Sequence, residues 1–179
     1  MKTIKIKFVT EKRGFTLIEL VSAIVVVAIL SAFTGMGFVY MVHGYVLAKK
    51  NADTVQNAEI ILARLAKELK STTSITSGNQ TSLTFLSKST NPVDQSLFLS
   101  WNNAQNILSL GPTGNADTLA YNVSSFSLSY FNKFDDTAGP TYLPASTMII
   151  KITLSLTGAD NVISTFEERV FLYSLISGI

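Results

Sequence analysis

One carboxylate in this chain stands where a carboxylate is costly. Glu19 is the fifth residue of a segment that starts at Phe15, and it lies on the way into a long apolar run. A charge at such a position costs roughly 3 kcal/mol on insertion scales and usually faces a protein partner or a polar pathway. Ion pairing is therefore the chemistry open to it. A cut between Gly14 and Phe15 would free an α-amine on Phe15, about one helical turn from Glu19. Within one helix the two groups could pair with each other. Between axially staggered helices, the amine of one copy could meet Glu19 of the next. The plain alternative is that Glu19 snorkels to the membrane interface.

The other reactive side chains are sparse. His43 is the single histidine and lies at the end of the apolar run, where a polar cap of a membrane segment is the ordinary reading. There is no cysteine, which excludes disulfides and thiolate metal sites. No glycine-rich phosphate loop and no histidine pair at metal-ligand spacing is present. Asp135-Asp136 are candidate calcium ligands, but two adjacent carboxylates fall short of the six or more oxygens that calcium takes. No catalytic cluster emerges, so the chain reads as neither an enzyme nor a cofactor carrier.

The elements that must position Glu19 follow from charge and hydropathy. Composition is 47% hydrophobic but 15% charged, well below the roughly one quarter usual for soluble domains, and the excess sits between Phe15 and Val42. Residues 1–14 hold Lys2, Lys5, Lys7, Lys12 and Arg13 against Glu11, a net 5 − 1 = +4; the remainder is then 2 − 4 = −2. That leaves no basic surface for nucleic acid. No residue from Leu20 to Val42 carries a charge. At about 1.5 Å per residue this run is about 35 Å long, against about 30 Å of hydrocarbon. The basic cluster before it keeps residues 1–14 cytoplasmic and sends the C-terminal part across the cytoplasmic membrane in a single pass. A signal peptide would have a shorter apolar region ending at a small-x-small site.

Lys12-Arg13-Gly14-Phe15-Thr16-Leu17-Ile18-Glu19-Leu20, followed by this run, resembles the class III signal of type IV prepilins and pseudopilins. The resemblance implies a prepilin peptidase that cuts after Gly14 and N-methylates Phe15, and a role for Glu19 in docking into a growing fibre. It implies as partners other pilin or pseudopilin subunits, the inner-membrane assembly platform and membrane lipid. Gly35 and Gly37 interrupt the apolar run as a helix soft point, where relatives often carry Pro. Close packing through small residues is the other reading of that pair.

After Lys49-Lys50 the pattern becomes one-sided. Val55, Ala58, Leu62, Leu65 and Leu69 form one apolar stripe. The expectation is a basic leader at 1–14 and a long helix over 15–70 with its membrane segment at about 15–43. A β-rich head follows at 71–179. Alternation predicts strands at Ser82–Ser87, Leu97–Trp101 and Ile107–Leu110, the last two as a hairpin, with a break at Gly111–Asn115. Tyr121 and Val123 lie on odd positions but Phe126, Leu128 and Tyr130 on even ones, so one buried face requires a bulge near Ser124-Ser125. Met148–Leu156 is the strongest strand and turns through Thr157–Asn161 into Val162–Tyr173. Trp101 reads as core, and Glu167-Glu168-Arg169 as a solvated strand face with a surface ion pair. The predicted class is α+β: a long N-terminal helix packed on a mostly antiparallel sheet. The plan is similar to that of W-type minor pilins and J-type pseudopilins. The rival expectation is a membrane-anchored binding or adhesive domain that uses the helix only as a tether.

Overall fold

The computed structural model describes residues 14–88, 94–134 and 137–172. The chain is α+β. One helix, α1 (Leu17–Lys70), is followed by β1 (Thr72–Gly78), β2 (Ser82–Ser87), β3 (Gln95–Asn102), β4 (Ile107–Pro112), β5 (Asp117–Ala120), β6 (Val123–Phe131), β7 (Ile149–Thr157) and β8 (Ile163–Phe171). Two compact units divide it, residues 1–46 and 47–179.

In the first unit every described residue is exposed. The apolar side chains point in all directions around the helix, because the sequence there is apolar on every face. In the second unit, α1 buries Ala58, Ile61, Leu62, Leu65, Ala66 and Leu69, spaced three and four apart. Val55 departs from the expected stripe: it is 39% exposed, and burial begins one turn later at Ala58. Fully burying a Leu contributes about 1.5–3 kcal/mol, so this stripe holds the helix to the strands.

The strands form two antiparallel sheets, ordered β1-β2-β3-β4-β5 and β6-β7-β8, rather than one. Period-two alternation sends Leu83, Phe85, Leu97, Leu99, Leu108 and Leu110 inward from the first sheet, and Phe126, Leu128, Ile150, Ile152 and Leu154 inward from the second. All share one core cluster with the helix stripe. The β1–β2 turn ties the sheets together. Leu128 N–H donates to the Gln80 carbonyl at 2.8 Å, and Tyr142 N–H to the Gly78 carbonyl at 3.1 Å. The Tyr130 hydroxyl donates to the Asn79 carbonyl at 2.8 Å. Burial pushes the Tyr130 phenol well above its ordinary range. Gly78 sits under these groups: a Cβ there would lie 2.7 Å from the Tyr130 hydroxyl and 2.7 Å from Leu83 Cδ1.

The β3–β4 hairpin forms as the alternation predicts, with Asn102 Oδ1 accepting from Ala104 N–H at 3.0 Å and Asn106 at φ 55°. The bulge is present as a register shift between Val123 and Ser125. Tyr121 does not share that face. It precedes the strand, is exposed, and is turned away by Asn122 at φ 57°. β4 continues through Gly111 and Pro112, so the break begins only at Thr113. Strands β1 and β5 are additions to the expected set.

Candidate processing and assembly site

Thr16 makes the helix start. Leu17 is the first helical residue, two later than the expected Phe15, and Gly14, Phe15 and Thr16 are non-helical and exposed. The Thr16 Oγ1 accepts from Glu19 N–H at 3.3 Å, and the Thr16 carbonyl accepts from Glu19 N–H and Leu20 N–H at 3.1 Å each. The Thr16 hydroxyl also lies 3.5 Å from Glu19 Oε2, with the hydroxyl donating. Thr at the cap and Glu three residues on is the capping-box pair, and a carboxylate in the first turn is favoured by the helix dipole. Glu19 thus has a local reason to stand in the first turn in addition to any partner. The Thr-x-x-Glu spacing ahead of an apolar run was a readable signal for Thr16.

Beyond the first turn the unit is a bare apolar surface. Phe15 is 82% exposed, and the large apolar side chains from Leu17 to Val46 are exposed as well. The helix is long and apolar enough to cross a membrane. Its few hydroxyls do not disturb this. Ser22, Ser31 and Thr34 each donate to the carbonyl four residues earlier, at 2.8, 2.7 and 2.8 Å, so the polar atoms are satisfied within the helix. Gly35 and Gly37 lie in unbroken helix, and a Cβ added at either would meet nothing within 4 Å.

Residues 10–35 match the model of the prokaryotic N-terminal methylation motif. The segment is a class III prepilin signal. That match, with the apolar N-terminal helix behind it, supports a type IV pilin-like or pseudopilin-like precursor. The signal implies processing by a prepilin peptidase and assembly with other pilins. The apolar helix that follows supports membrane anchoring. No curated protein and no solved structure matches the chain.

The remaining candidate residues are scattered. His43 is exposed on the helix. Asp135 and Asp136 lie outside the described residues, and among the described ones no group of three or more metal-ligand side chains gathers. Trp101 packs against the core as expected but is only half-buried, and its Nε1–H is enclosed without a hydrogen-bond acceptor among the described residues. The Glu167 carboxylate pairs with Lys151 Nζ at 2.7 Å on the exposed sheet face. Its hydrogen bond to Lys151 holds its pKa below the usual carboxylate value.

Proposed function

We propose that this chain is a minor pilin or pseudopilin: a structural subunit of a type IV pilus, type II secretion or competence filament. In this reading prepilin peptidase removes residues 1–14 and methylates the new Phe15 amine. The apolar helix holds the precursor in the cytoplasmic membrane, leader inside and head outside, until the assembly platform extracts it. Glu19 pairs with the amine of a neighbouring subunit, and Gly35 and Gly37 let the helix loosen on assembly. The place in the fibre that suits such a head is a tip or priming complex. The observation that carries the reading is the match at residues 10–35, set on a helix whose acid stands in the first turn ahead of a fully exposed apolar surface.

Two measurements test it. The intact mass of the membrane-extracted protein should show loss of residues 1–14 and gain of one methyl group; a full-length mass in a peptidase-competent cell would refute processing. Glu19→Gln is the sharper variant, because Gln keeps the capping geometry and removes only the charge. A subunit that needs the ion pair should then insert normally but drop out of filaments. Normal filament incorporation of the Gln variant would leave the tethered adhesive or binding domain as the better account.

A further inference from the structure

Among the described residues four strand edges border the two sheets, and geometry blunts three of them. β1 is kinked by register shifts at Thr72/Ser74 and Ile75/Ser77. β5 has only four residues. The outer edge of β6 is occupied: Val123, Leu128 and Tyr130 N–H donate to the carbonyls of Asn106, Gln80 and Gly139 at 3.0, 2.8 and 3.1 Å. β8 differs. It runs nine residues without Pro, and its pairing with β7 is unshifted from Thr157↔Ile163 to Ile149↔Phe171. Proteins usually blunt such edges, since an open row of N–H and C=O groups is a template for another strand.

The direction of that row follows from two hydrogen bonds at the ends of the ladder. Gly158 N–H donates to the Val162 carbonyl at 2.7 Å, and Leu172 N–H to the Met148 carbonyl at 2.9 Å. Bonded pairs alternate in an antiparallel ladder, so the even residues Ser164, Phe166, Glu168 and Val170 bond to β7. Ile163, Thr165, Glu167 and Arg169 therefore turn their N–H and C=O groups outward. No described residue bonds to them there.

Space for a further strand lies beside this edge. Ala63, Ala66, Lys67, Lys70 and Ser71 of the helix end line an open groove together with Glu168 of β8, so the groove lies next to the last strand. Neither Lys67 nor Lys70 has an ion-pair partner among the described residues. A strand added about 4.8 Å from β8 would cover the exposed Ala63 and bring its inward side chains near these two lysines. A second copy of β8 fits poorly. Self-pairing centred on Glu167 or Glu168 sets like carboxylates opposite each other, which is destabilising. Centring on Thr165 or Phe166 avoids this but places Val162 or Ser164 beside Glu168 and brings no carboxylate to the lysines.

We propose that the outer edge of β8 from Ile163 to Arg169 binds an extended segment of a different filament subunit. The backbone of Ile163, Thr165, Glu167 and Arg169 pairs with it, and an acidic side chain of the partner faces Lys67 and Lys70. The inference rests on the filament reading above. Amide hydrogen exchange tests it on the full mature chain, in detergent micelles and in purified filaments. In micelles the amides of Ser164, Phe166, Glu168 and Val170 should exchange slowly, and those of Ile163, Thr165, Glu167 and Arg169 fast. In filaments the second set should slow by at least about tenfold. Thr165→Pro removes one outward N–H and no ladder bond, a change edge strands tolerate. Like Thr165→Val, it loses the 2.9 Å hydrogen bond between the Thr165 and Ser155 hydroxyls, so the two variants should unfold alike, the Pro variant excluded from filaments and the Val variant assembled normally. Fast outward amides in filaments, or normal assembly of the Pro variant, would overturn the inference and spare the filament reading. Outward amides already slow in micelles overturn it too, because the chain itself or a second copy then fills the edge. A wild-type chain absent from filaments overturns both readings.

Discussion

Residues 17–46 and 47–70 belong to one continuous helix, yet they solve the burial problem in different ways. The first stretch has large apolar side chains on every face, and all of them are exposed. The second concentrates its apolar residues on one stripe and buries six of them under the head's own strands. Backbone geometry is the same in both, so the difference lies in what surrounds the helix. The second stretch finds its apolar solvent within the chain. The first must find it outside, in lipid or in a bundle of like helices. Dependence on an external partner is therefore written into the side-chain distribution before any partner is named.

The comparison breaks most visibly at leucine. Leu65→Ala should lower head stability by about 2–5 kcal/mol, since Leu65 is 1% exposed and its loss leaves a cavity. Leu30→Ala, on the bare stretch, should leave the denaturant midpoint of the head unchanged. Equal effects of the two substitutions would sink the contrast. Gly78→Ala should cost about 1–3 kcal/mol, because the new methyl group strikes the Tyr130 hydroxyl and Leu83 where the two sheets are joined. Chemical denaturation measures this, with membrane insertion as the property that should not move. Thr16→Ala removes the cap of the exposed stretch and should cost about 1 kcal/mol locally. It should appear as faster exchange of the Glu19 amide in micelles, with the head untouched. The smallest effect is at Lys151–Glu167. The pair lowers the folded pKa of Glu167, so its contribution is present above the ordinary carboxylate pKa and fades as pH falls through the lowered value. Because Glu167 is exposed, this contribution should stay below about 1 kcal/mol. Lys151→Met should flatten that acid limb of the stability curve slightly, and an unchanged limb would remove the pair from the account.

Much of the molecule was legible because periodicity is a local property. The three-and-four spacing of Ala58, Leu62, Leu65 and Leu69 announces one buried face, and the parity switch between Val123 and Phe126 announces the bulge. Strand β1 escaped notice because Thr72–Gly78 offers a single apolar residue, Ile75, to an alternation test, and β5 because four residues give no pattern. The division into two sheets was also hidden. Alternation says which face of a strand is buried but not which strand lies beside it, and the bond from Leu128 to Gln80 links residues far apart in sequence. At the N-terminal site, the spacing of Gly14, Phe15 and Glu19 was plain from the residues alone. The cap formed by Thr16 is equally spelled out in Thr-x-x-Glu, although the acid's cost in hydrocarbon points first to distant partners rather than to the hydroxyl three residues upstream.

That hydroxyl has a bearing on maturation. Thr16 closes the first turn from downstream of the Gly14–Phe15 bond, so scission there would sever non-helical chain and unwind nothing. The fresh terminus would be a two-residue overhang ahead of the helix, and no described carbonyl accepts from the Phe15 nitrogen. Trimming at that bond and holding the rod intact would, by this arrangement, be separate events.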